Sequence, residues 1–250
     1  MIRPFLTALQ FLTRLPVRMD GNPDDKTLGR SVLYYPLIGL LLGLVLAAMA
    51  WVLQDVPALP CAALLLVIWV AITGALHLDG LADSFDAWVG GHGERARTLA
   101  IMKDPASGPM GVAAIMLVLI VKFAALAALC EAGDRWAFVA PPLMGRTVLP
   151  LLFLTTPYVR PGGLGQALAA RLPKRAAGTI VAAISLGILA VGEMLGLMLL
   201  LAGAAAFLVL RGAMRQRLGG TTGDTAGALV ELTEVATVVT AAIAISTSAP

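Results

Sequence analysis

The chain has 250 residues, of which 59% are hydrophobic and only 13% charged, with a mean hydropathy of +0.89. Soluble domains are about one-quarter charged, so an ordinary soluble protein is excluded. The net charge of +3 is small and its basic residues are dispersed, which argues against a nucleic-acid partner and for anionic headgroups or phosphorylated substrates.

Residues 1–30 mix Phe5, Leu6, Leu9, Phe11, Leu12 and Leu15 with arginines and are interrupted by Pro16. The apolar run is short and no small-residue cleavage site follows, so an interfacial amphipathic segment is expected there rather than a signal peptide. Apolar runs of transmembrane length then recur at about 32–53, 58–76, 110–129, 136–156, 178–210 and 226–246. Strand-like alternation is absent. The predicted fold is all-α: a single polytopic membrane bundle over residues 1–250. Cys61 and Cys130 end different apolar runs without a CxxC pattern and suggest neither a disulfide framework nor a zinc site.

Loop charges set the expected orientation. Arg3, Arg14, Arg18, Lys26 and Arg30 precede the first span, whereas 54–57 carries no basic residue. The loop 77–108 has Arg95, Arg97 and Lys103; the next connection has only Arg135; the following one has Arg160, Arg171, Lys174 and Arg175. The run 178–210 is too long for one span and carries Gly192 and Glu193 near its middle. A tight hairpin there keeps Arg211, Arg215 and Arg217 on the same side as the other basic loops. About seven spans result, with loops 77–108 and 211–225 both cytoplasmic.

The loop 77–108 gathers Asp79, Asp83, Asp86 and Asp104 with both histidines, His77 and His92. Asp79, Asp83 and Asp86 follow i, i+4, i+7 spacing and share one helix face. Like charges stacked beside a bilayer are costly unless a cation joins them. Carboxylates without a Cys/His cluster suit Mg²⁺, with Mn²⁺ as substitute, and Mg²⁺ commonly adds substrate phosphates to one or two carboxylates. An exposed acidic helix end is the plain alternative. Lys103 and nearby arginines suit phosphate oxygens, while Lys103–Asp104 also reads as an ordinary surface pair. His77 is a candidate phosphate ligand or general base, or simply an interfacial polar residue.

A second cluster, "RLGGTTGDTAGALVELTE", runs from Arg217 to Glu234. Asp224 is placed to cap the last span. Glu231 and Glu234 lie inside that span, and Lys122 and Arg146 inside others are their natural partners, for function or for structural pairing.

The elements "FLTRLPV", "HLDGLADSFD", "IMKDPASGPMG", Gly145–Arg146, "RPGGLG" and "RLGGTTGDTAGALVELTE" stand in the order of the cobalamin synthase (adenosylcobinamide-GDP ribazoletransferase) family, which the chain resembles over nearly its whole length. Pro105 stands where the family pattern usually has Ser after MKD, and Ala87 where Gly commonly follows the third aspartate. The resemblance implies a Mg²⁺-dependent enzyme of the bacterial inner membrane with its site facing the cytoplasm. It implies transfer of phospho-adenosylcobinamide from adenosylcobinamide-GDP to α-ribazole or its 5′-phosphate, with release of GMP. Asp79, Asp83 and Asp86 would hold the metal, and His77, Lys103 and Asp104 would join them in catalysis. Arg146, Arg160, Arg217, Asp224, Glu231, Glu234, Gly108 and Gly111 would serve substrate binding. One aspartate or His77 would take the hydroxyl proton. A homo-oligomer and other late cobalamin-pathway enzymes are compatible partners. The rivals are a CDP-alcohol phosphotransferase or a prenyltransferase, and a transporter relaying ions through Glu231, Glu234, Lys122 and Arg146.

Overall fold

The structure is a computed structural model and describes residues 2–19, 21–134, 136–162 and 164–248. Arg135 and Gly163, which enter the charge pattern and the "RPGGLG" element, lie outside the described residues. Eleven α-helices, with two short 3₁₀ turns at Val32–Tyr34 and Trp136–Phe138, make up the helical structure of the described chain. They are α1 (Ile2–Leu12), α2 (Asp25–Ser31), α3 (Tyr35–Val52), α4 (Ala58–Thr73), α5 (Leu76–Gly90), α6 (Arg95–Ile101), α7 (Pro109–Ala132), α8 (Ala140–Thr155), α9 (Leu164–Ala170), α10 (Lys174–Leu218) and α11 (Gly223–Ser248).

The protein is a multi-pass membrane protein of the all-α class. Among the described residues, five helical segments are long and apolar enough to cross a membrane, or six when the bent pair α4–α5 counts as one. Their apolar residues are spread around the helix, as in segments surrounded by lipid on one side and neighbours on the other. Small residues allow close crossings in lipid, where backbone approach replaces hydrophobic drive. Gly39 and Gly43 of α3 show this: a Cβ on either would strike the backbone of Pro142 or Val139 at the start of α8, at 2.4 and 2.6 Å.

Helix α10 contains a reversal. Glu193 has φ 46° and ψ −119°, and beyond it Gly196 folds back so closely that a Cβ would lie 2.2 Å from the Ile188 carbonyl oxygen. Ala177 and Met214, near the two ends of α10, pack in one cluster with Leu12, Tyr35 and Leu168. Leu199 and Ile188, near the turn, pack in another with Cys61 and Phe138. The expected hairpin at Gly192–Glu193 is thus the path the chain takes. Counting its second arm separately from the six candidates makes a seventh.

The loop expected over 77–108 is largely helical. Gly74 (φ 61°) and Ala75 (φ 58°) both take the left-handed conformation and end α4. The axis turns by 87°, and α5 runs away from the direction of the span. Helix α1 buries Ala8 and Leu12 and leaves Ile2 exposed.

Candidate active site

The acidic helix α5 lies directly on the start of α11. A Cβ on Gly80 would meet the Asp224 carbonyl oxygen at 2.8 Å, and one on Gly227 would meet that of His77 at 3.3 Å. Two glycines therefore let the backbones approach, and Asp79 and Asp83 reach the neighbourhood of Asp224 across more than half the chain. Asp83 stands within electrostatic range of Asp79, Asp224 and Asp86, with Arg160 as the opposing cation.

Asp224 does not cap α11. Thr222 does: the Thr225 N–H donates to Thr222 Oγ1 at 3.2 Å, and the Thr222 N–H to Thr225 Oγ1 at 2.9 Å. This reciprocal pair satisfies the helix start in the manner of a capping box. Asp224 is left to accept from Arg160 Nη1 at 2.9 Å. Arg160 is held in place by a short ladder, in which the Val159 N–H donates to the Thr221 carbonyl and the Thr221 N–H to that of Pro157, both at 2.9 Å.

Asp79, Arg160 and Asp224 border a cavity of about 460 Å³, and Asp83 lies one turn further along α5, outside its lining. His77, Asp79, Lys103, Arg160 and Asp224 supply its charged and polar lining, and Phe11 and Tyr158 are among its aromatic walls. Burial raises the Tyr158 phenol above its ordinary pKa, partly opposed by Arg160, so its hydroxyl keeps its proton as a donor. Carboxylates and cations facing one cavity suit a phosphorylated ligand: the cations meet its oxygens, and the carboxylates meet a metal or a proton.

Other expected site residues lie outside the lining of this cavity. Asp86 accepts from Gly108 N at 2.7 Å and Gly111 N at 2.9 Å, capping α7 from a distance. A Cβ on either glycine would lie 2.5 Å from that carboxylate. Gly108 and Gly111 therefore make room for Asp86 and do not border the cavity. Asp104 accepts from the Ala106 N–H at 3.0 Å in an exposed turn. Arg217 donates to Thr98 Oγ1 at 3.2 Å and to the Trp88 carbonyl at 2.7 Å, fastening α6 to α5. Among the described residues, no group of three or more His, Cys, Asp or Glu could hold a metal by itself.

Arg146, Glu231 and Glu234 lie one layer below the cavity. Lys122 Nζ is 2.6 Å from Glu231 Oε2 and also pairs with Glu234, which pairs in turn with Arg146. All four are almost fully buried. Lys122 additionally sits 4.5 Å from the centroid of the Trp69 ring. Two cations and two anions balance, which is how charge survives inside an apolar bundle. Arg146 Nη2 touches His77 Nδ1 at 3.5 Å, so the quartet ends at a residue of the cavity wall. Gly145 leaves space for Glu234, whose Cγ would lie 2.7 Å from a Cβ there.

Sequence reasoning did not find Tyr158 or Phe11 as wall residues, nor the Gly80–Gly227 crossing. The glycine at position 80, between Asp79 and Leu81 inside a helical pattern, was the available signal for the crossing. Nothing local marks Phe11, which reaches the cavity from the other end of the chain.

Fold and cavity together define a polytopic helical membrane protein with a mixed carboxylate and cation site where two helix ends meet. Residues 4–242 match the family model described as cobalamin-5-phosphate synthase, and the chain belongs to that family. A relative from Pseudomonas aeruginosa, named adenosylcobinamide-GDP ribazoletransferase, is 56% identical over 97% of this chain and 98% of its own length. Relatives of the same name from Pseudomonas putida and Stutzerimonas stutzeri are 57% and 54% identical, each over 94% of this chain and 96% of their own length. No solved structure matches the chain.

Proposed function

We propose that this chain transfers the phospho-adenosylcobinamide part of adenosylcobinamide-GDP to α-ribazole or α-ribazole 5′-phosphate. Adenosylcobalamin or its 5′-phosphate forms and GMP leaves. The observation that carries this reading is the near-complete alignment with relatives bearing that enzyme's name at 56% identity. The Asp79–Arg160–Asp224–Lys103 cavity supports it with groups suited to a diphosphate.

Mg²⁺, or Mn²⁺ in its place, fits the donor set. Asp79 and Asp83 offer hard oxygen ligands, and an incomplete protein cage is what an ion shared with substrate phosphates needs. Asp86 already accepts one backbone N–H on each carboxylate oxygen, so Asp79 and Asp83 are assigned the larger share of the ion. Bound there, the ion would supply charge to stabilise the phosphoryl oxygens and the departing phosphate.

The remaining work belongs to the chain's own side chains. Arg160, steadied by Asp224, offers a planar donor fork to phosphate oxygens, and Lys103 offers a mobile point charge. Arg146 can only donate, so His77 Nδ1 is the acceptor in that 3.5 Å contact, and a further proton there would face the Arg146 cation. The ribazole hydroxyl proton is therefore assigned to one of the aspartates.

The family supports an inner-membrane location, and the loop charges support a cavity facing the cytoplasm. The test is purified protein with adenosylcobinamide-GDP, α-ribazole and Mg²⁺. Formation of adenosylcobalamin with equimolar GMP is expected, and neither product appearing would overturn the proposal.

A further inference from the structure

Cys61 sits in the first turn of α4 and Cys130 in the last turns of α7. They are 69 positions apart in sequence, yet their sulfur atoms approach to 3.1 Å. The contact is built in, because Ala62, Leu65, Leu126 and Leu129 of the same two helices pack in one cluster around it. Both thiols are free, Cys61 buried and Cys130 half-buried. Each lies beside a short connection on the face opposite the aspartates, near 54–57 and 133–139. Unlike the sequence reading, the structure makes these cysteines a pair.

We propose that Cys61 and Cys130 are a modification site, oxidised in the membrane to a disulfide that ties the outer ends of α4 and α7. The proposal rests on the orientation proposed above, which puts these ends on the non-cytoplasmic side, where disulfides persist. A disulfide bond is about 2.0 Å long, so small side-chain rotations would bring the sulfurs into bonding range. The oxidant would be the disulfide of a thiol–disulfide carrier on that side. One cysteine thiolate attacks the carrier and forms a mixed disulfide, and the second displaces it. The two protein thiols lose two electrons and two protons, and the carrier leaves as a dithiol. The bridge has a place in the architecture of the site. Helix α4 ends in the bend that launches α5, and α7 begins at the Asp86 cap, so α5 hangs between two helices joined at their far ends.

The test is acid quenching of intact cells followed by maleimide alkylation of the denatured full chain and intact-mass measurement. The wild type is expected to take up no maleimide before reduction and two after it. Cys61→Ser is expected to take up one without reduction. Thermal stability of the purified protein should fall on reduction in the wild type and not in Cys61→Ser. Two maleimides on the unreduced wild type would overturn the proposal. A Met194→Cys variant lacking both native cysteines separates the two readings through an impermeant maleimide. Labelling of intact cells with free native thiols refutes the disulfide alone. Failure of Met194→Cys to label from outside refutes the orientation on which the disulfide rests.

Discussion

Replacing Lys122 with Met removes the cation that faces both Glu231 and Glu234 while keeping much of the side chain's volume. In the wild type two carboxylates are balanced by Lys122 and Arg146, and all four are almost fully buried. The variant leaves Arg146 as the one remaining partner in the cluster for two acids, so a carboxylate is stranded. Breaking a buried pair in this way costs about 3–5 kcal/mol. Proton uptake by the stranded acid would return part of that, so roughly 2–4 kcal/mol of net destabilisation is expected. Adding Glu231→Gln removes the surplus charge and should recover most of the loss. The assay is thermal unfolding in detergent of wild type, both single variants and the double variant, as a double-mutant cycle. A Lys122→Met protein as stable as wild type, or a double variant no better than the single, would refute the charge-balance argument.

Other outcomes follow from the same geometry. Asp86→Asn should lower stability by about 1–2 kcal/mol through the weakened α7 cap, and the Mg²⁺ concentration giving half-maximal transfer should stay as in wild type. A shifted Mg²⁺ dependence would return Asp86 to the metal site. Gly80→Leu should abolish transfer in protein that still inserts, because α5 can no longer rest on Asp224; wild-type turnover would refute the close crossing. With native cysteines removed, Glu94→Cys and Gln216→Cys should label only from the cytoplasm and Met194→Cys only from outside. Labelling of Gln216→Cys from outside would mean that α10 crosses once.

Much of this molecule was legible because lipid imposes a simple rule on a chain. Apolar runs marked the helices, and loop charges placed a hairpin at Gly192–Glu193 that local hydropathy alone would have passed over. The i, i+4, i+7 aspartates were correctly read as one helical face, but spacing cannot say what each carboxylate meets. Asp86 meets backbone N–H groups from Gly108 and Gly111, contacts set by where α7 begins. Asp224 had the sequence position of a helix cap, and Thr222 took that role because a Thr three residues on could return the bond. The pairing of Lys122 and Arg146 with Glu231 and Glu234 was foreseeable, since buried charges seek partners. That the quartet ends on His77 beneath the cavity was not, because it depends on the 87° bend after α4. Cys61 and Cys130 converge only through the packing of α4 on α7.

The central claim is that Asp79 and Asp83 serve a diphosphate transfer at this cavity, and the most direct measurement is a Mg²⁺ titration of transfer at saturating adenosylcobinamide-GDP and α-ribazole. Purified wild type, Asp79→Asn and Asp83→Asn are compared, with thermal stability recorded for each. Wild type should produce GMP and the cobalamin product only with the divalent ion present. Both variants should remain folded near wild-type stability and lose roughly a thousandfold or more in rate, since an amide lacks the charge that holds Mg²⁺. Stable variants that turn over at near-wild-type rates with unchanged Mg²⁺ dependence would contradict the account.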